Sequence, residues 1–278
     1  MLPVTIPLVK LLSAVKRVLV RAGLYEHVEY SRPHLAYLGL TRPERDAARR
    51  RRLEAHRAFL SPGVLVFDVG ANVGDMSECY LDLGCRVVAV EPDERCGRVL
   101  RRRFQRSGRF TLEPVAVSDT AGPVDLQVQA PGSAYNTLST KWRAVLEGGT
   151  SSHAVGGMPF GATKRVEAVT LDMLVARHGL PGYLKLDVEG HEAPALQGLS
   201  RPVGRVMFEA NLPEFHAEAV SCVERLRALD PTTRFQVVTN GAAPNERAWG
   251  EAAPLLEALA SSKDRSVDVY AALPKTLG

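Results

Sequence analysis

A stretch near residue 70 combines an acid with closely spaced glycines, a pattern typical of nucleotide-binding turns. The apolar run Val64–Phe67 leads into Asp68, and Gly70, Asn72 and Gly74 follow at alternate positions. The pattern predicts a buried strand, a tight turn and a helix that begins beneath the turn. Because glycine lacks a Cβ, a ligand can approach the backbone closely, and free N–H groups at the helix start favour polar or negative groups.

The second predicted strand ends in a carboxylate that could complete such a site. This strand runs from Arg86 to Pro92 and places Glu91 about 20 positions after Gly70,. An acid at this distance suits the two hydroxyls of a ribose. We therefore interpret the opening βαβ unit as a nucleoside-binding unit; the alternative is a glycine turn that only connects a strand to a helix.

The remaining strand ends are acidic as well, and this narrows the choice of ligand. Strands alternate with helices along the chain, which indicates a mostly parallel sheet with helices on both faces. Ligands of such sheets bind at the carboxyl ends of the strands. The sequence places six acids there: Asp68, Glu91, Asp119, Asp187, Glu189 and Glu209. An all-acidic rim does not suit a pyrophosphate, but it suits S-adenosylmethionine, which carries a ribose, an amino group and a positive sulfonium.

The glycine spacing also argues against a dinucleotide. Dinucleotide-binding proteins use the pattern G-x-G-x-x-G, and Gly70, Asn72 and Gly74 do not fit its three-glycine spacing. A dehydrogenase is therefore not expected.

Composition and charge describe an ordinary globular protein. The 278 residues are 45% hydrophobic and 24% charged, and the formal net charge is +4. The four cysteines form no C-x-x-C pair, so neither a zinc site nor a redox motif is indicated, and a reducing compartment fits best. No run of 18 apolar residues is present, and the basic residues near the N-terminus do not precede the apolar ones as in a secretory signal. These features predict a cytoplasmic protein.

The first 60 residues are expected to form a helical extension to an α/β domain at 61–278. Residues 4–22 have the spacing of a basic amphipathic helix, which either contacts a membrane surface or a partner, or covers the catalytic domain. Residues 41–60 carry seven arginines and three acids. This second helix presents either a solvated arginine face or a patch for an anion; nucleic acid is not expected, because no aromatics interrupt the basic run.

A glycine-rich stretch at about 130–163 has no regular period. Long irregular stretches inside compact domains are commonly lids or substrate loops, and Tyr135 and Trp142 could contact a substrate there. We therefore expect this stretch to be a lid or a substrate loop.

Several of these motifs together resemble a known family. VFDVGANVGD followed by VEPD resembles the cofactor half of class I S-adenosylmethionine-dependent methyltransferases. EPVAVSD, TLD and KLDVEGHE, in this order, resemble the FkbM family over residues 64 to 210. The resemblance implies a Rossmann-like class I fold with a mostly parallel seven-stranded sheet. It further implies O-methylation of a hydroxyl on a sugar, a glycolipid or a secondary metabolite.

The resemblance also implies roles by position. The methionine part would contact Asp68, Gly70, Asn72 and Gly74. Glu91 would hold the ribose, Ser118 and Asp119 would border the adenine, and Asp187 would sit beside the transferred methyl.

An alcohol is a poor nucleophile, so methyl transfer to a hydroxyl should need a base within hydrogen-bond reach. The candidates are Asp187, His191 and Glu209, with Glu189 nearby, and Lys185 could pair with one of the acids. Neutral imidazole suits the task at pH 7. Two or three carboxylates in one pocket could also hold Mg²⁺. The alternative function is a non-catalytic, membrane-docked binding protein on a methyltransferase scaffold.

Overall fold

The central sheet is made of short strands whose side chains are buried on both faces. In the computed structural model, residues 14–19, 21–22, 28, 30–31, 34, 38, 43–149, 157–239, 242–245, 247–262 and 264–277 are described. The strands are β1 (Leu65–Val69), β2 (Arg86–Val90), β3 (Phe110–Glu113), β4 (Ala116–Val117), β5 (Gly122–Val128), β6 (Ala162–Val169), β7 (Tyr183–Leu186), β8 (Arg205–Asn211), β9 (Arg234–Val238) and β10 (Ser266–Ala272). Apolar runs such as Val66–Phe67 and Val87–Val90 are buried because helices cover both faces of the sheet,.

Among the described residues from 43 onwards, eight helices accompany the strands. They are α1 (Pro43–Arg57), α2 (Asp75–Asp82), α3 (Glu94–Phe104), α4 (Thr140–Gly148), α5 (Leu171–His178), α6 (Glu192–Gln197), α7 (His216–Leu229) and α8 (Ala252–Ser261). A short 3₁₀ turn, Pro274–Thr276, follows β10.

The strand order confirms the predicted α/β class I methyltransferase fold. The seven-stranded sheet has the order β3-β2-β1-β7-β8-β10-β9. The first five strands are parallel, and β10 runs antiparallel to both β8 and β9. The chain leaves β1 towards β2 and β3 on one side and continues at β7 and β8 on the other. Sheets of this kind bind ligands at the crevice where the strand order reverses, which here lies between β1 and β7.

A second sheet, with the order β4-β6-β5, was not predicted. The sequence predicts Phe110–Val117 to be a third strand and its exit, and in the structure these residues form two strands that belong to different sheets. The main sheet keeps only β3, which ends at Glu113, while β4 pairs with β6. Pro114 follows Glu113 and has no N–H to donate, so the ladder stops there and the chain changes sheet,.

The glycine-rich stretch 130–163 is more regular than its sequence indicates. Helix α4 lies within it and begins at Ser139, whose hydroxyl accepts the N–H of Trp142 at 3.0 Å. Trp142 is 1% exposed and packs edge-on against Phe215, with ring centroids 5.5 Å apart. The prediction that Trp142 contacts a substrate is therefore wrong, because the ring belongs to a small core cluster with Leu146 and Phe160. Residues 150–156 of the predicted lid lie outside the described residues.

The N-terminal extension is described in part. Most of the predicted helix at 4–22 lies outside the described residues; residues 14–19 are helical, and Val15 and Val18 are 46% and 63% exposed. Helix α1 packs against α2, where Arg49 pairs with Asp82, so part of its arginine face is neutralised by the domain. Among the described residues, no helix has the length and apolar character needed to cross a membrane.

Candidate active site

A cleft opens at the carboxyl ends of β1, β2 and β7. We call it the main cleft. Five of the predicted site residues line it, together with Glu189: Gly70, Asn72, Glu91, Asp187 and His191. Its other walls come from Val115–Val117 and from residues 133–138. Asp68, Gly74, Ser118, Asp119 and Glu209 are not among its lining residues.

The turn after β1 needs glycine for reasons of packing. Gly70 has φ +75°, and a Cβ there would lie 1.8 Å from the backbone oxygen of Asp187. Gly74 has φ +85°, and a Cβ would lie 2.6 Å from the side chains of Leu100 and Phe104 on α3. Glycine therefore has a packing role at both positions: Gly70 allows the ends of β1 and β7 to meet at the cleft, and Gly74 allows α3 to pack. The expected close approach of a ligand at Gly70 stays a prediction.

Glu91 is held by the backbone on both sides of the main cleft. Its Oε2 accepts the N–H of Asn72 at 2.8 Å, and its Oε1 accepts the N–H of Asp93 at 2.7 Å. Asn72 has φ +48°, an unusual value for a residue with a side chain, and this conformation aims its N–H at the carboxylate,. Burial raises the pKa of Glu91 to about 7, although the two backbone hydrogen bonds oppose the shift.

A buried lysine connects two of the predicted acids. Lys185 Nζ lies 3.1 Å from Asp187 Oδ2 and 3.5 Å from Asp68 Oδ1, and it donates to the carbonyl of Gly70 at 3.1 Å. Burial lowers the pKa of Lys185, but the charges of Asp187 and Asp68 outweigh burial and raise it overall. The expected structural role of Lys185 is thus confirmed. Asp68 is fully buried behind the cleft, where it also accepts the hydroxyl of Ser77 at 2.6 Å.

His191 lies at the opposite side of the main cleft from this lysine network. Its Nε2 is 3.1 Å from the hydroxyl of Ser118, and that hydroxyl also lies 3.0 Å from Asp119 Oδ1. Burial lowers the pKa of His191 to about 4, and the charge of Asp119 opposes the shift only in part. A neutral ring with this pKa is a weaker base at pH 7 than the sequence led us to expect.

Three carboxylates meet where β7 and β8 end. Oxygen atoms of Asp187, Glu189 and Glu209 all lie within 4.8 Å of one another. Glu209 accepts hydrogen bonds from Ser266 at 2.7 Å and from Asn211 at 3.3 Å. Burial and the charge of Asp187 raise the pKa of Glu209 to about 7, and burial and the same charge also raise that of Glu189. Such a cluster suits a positively charged ligand, whether the sulfonium of a cofactor or a divalent cation.

The sequence predicts a lid or substrate loop from about residue 130, but not the contacts that hold the cleft wall at residues 133–138 in place. Asp93 Oδ2 accepts the N–H of Gly132 at 3.2 Å and the side-chain amide of Asn136 at 3.0 Å. Thr137 donates its hydroxyl to the carbonyl of Glu189 at 2.7 Å. These contacts fix the wall to β2 and β7, and they join residues about 40 to 50 positions apart, which no local pattern reveals.

The position of Glu91 leads to a prediction about cofactor affinity and pH. If ribose hydroxyls donate to the ionised carboxylate, affinity for S-adenosylhomocysteine should fall as the pH drops below 7, because protonated Glu91 loses that acceptor character,. Glu91→Gln should bind about 10- to 100-fold more weakly at pH 8 and should lack this part of the pH dependence. Calorimetry at pH 6 and pH 8 measures both effects.

The control for this prediction is Glu94→Gln, which removes an exposed carboxylate three positions away, one that pairs with Lys164. Equal affinity of Glu91→Gln and the control at both pH values would exclude Glu91 from ribose binding.

Comparison with known proteins gives partial relatives and structural neighbours. Ribosomal RNA small subunit methyltransferase A from Sphingopyxis alaskensis is 32% identical over 77 residues, which cover 28% of this chain and 27% of that protein. The chain therefore matches about a quarter of that relative's length. Precorrin-6y C5,15-methyltransferase from Geobacter metallireducens aligns over 81% of this chain and 86% of its own, with 12% identity and a TM-score of 0.41. A TehB-like S-adenosylmethionine-dependent methyltransferase from Corynebacterium glutamicum aligns over 80% and 87%, with 9% identity and a TM-score of 0.41.

A family model gives the decisive match. The methyltransferase FkbM domain matches residues 68–230, which is more than half of the chain and includes the glycine turn, Glu91 and the acidic cluster. The resemblance inferred from the sequence motifs is thereby confirmed. The chain belongs to the FkbM family of S-adenosylmethionine-dependent methyltransferases.

Proposed function

We propose that this protein transfers the methyl group of S-adenosylmethionine to a hydroxyl of a sugar, a glycolipid or a secondary metabolite. The observation that carries the proposal is the carboxylate group at the ends of β7 and β8, where Asp187 and Glu209 stand side by side. Hydroxyl groups need a proton acceptor to become good nucleophiles. The Glu209 carboxylate, with a pKa of about 7, and the neighbouring Asp187 carboxylate provide proton acceptors at this place.

The main cleft has the groups that the cofactor needs. Glu91 supplies carboxylate oxygens for ribose hydroxyls, Val115–Val117 supply an apolar border for the adenine, and the acidic cluster balances positive charge. Bound S-adenosylmethionine would supply an electrophilic methyl group on a sulfur that leaves readily with the bonding electron pair. The protein then has two tasks: to orient the acceptor oxygen and to remove its proton.

We assign proton removal to the neighbouring carboxylates of Asp187 and Glu209. Asp187 lines the main cleft, and Lys185 fixes the direction of its side chain. The O–H bond of the acceptor breaks as its oxygen bonds to the methyl carbon, and the proton passes to this carboxylate pair. His191 is a poorer candidate for the base, because its pKa is about 4 and its Nε2 contacts Ser118. We propose instead that His191, Ser118 and Asp119 border the adenine.

The same cluster fits Mg²⁺ through its oxygen donors,. Asp187, Glu189 and Glu209 would hold the ion. Mg²⁺ would act as a Lewis acid that lowers the pKa of an acceptor hydroxyl.

Radiolabelled S-adenosylmethionine tests the proposed reaction. The protein is incubated with methyl glycosides, phenols, glycolipids and ribosomal RNA, each with MgCl₂ or with EDTA, and the position of the label is found by mass spectrometry. We expect label on an oxygen of a small molecule or glycolipid. Label confined to RNA, to nitrogen or to carbon would contradict the proposed O-methylation of a small molecule or glycolipid. Equal rates with EDTA and with MgCl₂ would show that the reaction needs no metal ion.

A further inference from the structure

A second cavity lies between α1, α2 and the face of the sheet that they cover. It is lined by Ala55 and His56 of α1, by Met76 and Tyr80 of α2, and by side chains of β7, β8 and β10. Asp187 lines this second cavity and the main cleft alike. A methyl donor in the main cleft and an acceptor in the second cavity would therefore meet at this carboxylate,.

Strand register places three acids in one row at the edge of the second cavity. Asp268 of β10 pairs directly with Glu209 of β8, and Leu186 of β7 pairs with Phe208 of β8. Asp187, the residue after Leu186, is therefore level with Glu209. With strands about 4.8 Å apart, the backbones of Asp187 and Asp268 are separated by about 10 Å.

Among the described residues, Asp268 makes no hydrogen bond or ion pair that would explain a carboxylate at this position. It lines the second cavity, and within the described part of the chain its carboxylate accepts no hydrogen bond. A partly buried carboxylate without a donor is costly unless a ligand supplies one.

The charges around the second cavity indicate a neutral ligand. Both signs of charge line it, Arg52 and Lys185 on one hand and Asp187 and Asp268 on the other, and Lys185 also pairs with Asp68, so the cavity favours neither an anion nor a cation. Burial lowers the pKa of His56 and disfavours its charged form. The other walls are apolar or aromatic, among them Met76, Met207 and Tyr270. Such walls suit a compact ring with apolar faces.

We infer that the second cavity binds the methyl acceptor, and that the acceptor is a neutral ring compound with hydroxyls on opposite edges. The inference rests on the proposed function. Asp187 receives the reacting hydroxyl, and Asp268 binds the other one. A six-membered ring with two such hydroxyls, each hydrogen-bonded at about 2.7 Å, spans the gap between the two carboxylates.

Methionine methyl groups allow a direct test, because Met76 and Met207 line the second cavity while Met158 and Met173 do not. Protein labelled with ¹³C at the methionine methyls and saturated with S-adenosylhomocysteine is titrated with cyclohexane-1,4-diol and, separately, with cyclohexanol at pH 8. We expect both compounds to shift the Met76 and Met207 signals in a saturable way and to leave Met158 and Met173 unmoved. The diol should bind about tenfold more tightly, because it adds a hydrogen bond to a charged group.

Asp268→Asn should bind the diol and cyclohexanol with equal affinity. Its affinity for S-adenosylhomocysteine should stay unchanged, and this measurement also shows that the variant folds. The matched control, Asp264→Asn, removes an exposed acid just before β10 and should keep the preference. Absence of saturable shifts at Met76 and Met207, or an undiminished preference in Asp268→Asn, would overturn the inference and leave the proposed function standing. Failure of the wild-type protein to bind S-adenosylhomocysteine would instead count against the proposed function.

Discussion

Asp187→Asn is expected to lower the turnover number about 10²–10⁴-fold, the usual contribution of a general base, while affinity for S-adenosylhomocysteine stays within a few-fold. Asp187 lines both the main cleft and the second cavity, so its carboxylate faces the place where acceptor and methyl group should meet. Asparagine keeps the shape of the side chain but cannot take up a proton. Lys185 retains Asp68 as a partner at 3.5 Å, so its buried charge is still balanced in the variant.

The pH–rate profile separates this catalytic role from a structural one. Burial is the larger cause of the raised pKa of Glu209, and the charge of Asp187 is the next. Removing that charge should move the pKa of Glu209 downwards, so the acid limb of the residual activity should shift to lower pH. Asp264→Asn serves as the control for both rate and profile. Near-full turnover in Asp187→Asn would show that Asp187 has a structural role and is not the base. A large loss of turnover with an unchanged acid limb would show that the protonation state of Glu209 does not control the rate.

The parts of the site that could be read from the sequence are those built by neighbouring segments. Strand β1, the turn at Gly70, helix α2 and strand β2 follow one another, and each has its own apolar period or glycine signal. Glu91 could be placed for the same reason, because it ends the strand that pairs directly with β1. Consecutive elements that pack against one another can be predicted from the apolar period and turn residues of the segment itself.

The parts that escaped prediction depend on pairing between distant segments. Asp268 stands in an ordinary alternating strand, and only the insertion of β10 between β8 and β9 brings it beside Glu209. Substrate contact by Trp142 was predicted because its segment is rich in glycine and lacks a regular period. In the structure Phe215, 73 positions later in the sequence, packs against the ring. His191 was placed correctly at the main cleft, but its burial, which makes it a weak base, cannot be read from a motif.

Gly70→Ala is expected to be the most damaging single-methyl substitution in the turn. The added Cβ would lie 1.8 Å from the backbone oxygen of Asp187, where neither chain can yield without separating the ends of β1 and β7. We expect the free energy of unfolding to fall by about 4 kcal/mol or more, a loss that single substitutions cause only when they severely disrupt the backbone or the core. Turnover of any protein that still folds should fall about 10²-fold, because Asp187 would be displaced from the reacting groups.

Gly63→Ala is the matched control that separates crowding from backbone strain. Gly63 has φ +87°, close to the +75° of Gly70, but a Cβ there has no atom within 4 Å. Gly63→Ala should therefore lower the free energy of unfolding only by the energy needed to hold alanine in the left-handed conformation, roughly 1–2 kcal/mol. Turnover should be unchanged. Urea denaturation of both variants gives the comparison directly. Equal losses of stability in the two variants would show that the backbone angle alone requires glycine at position 70, and that β7 can move away from the turn without harm to the site.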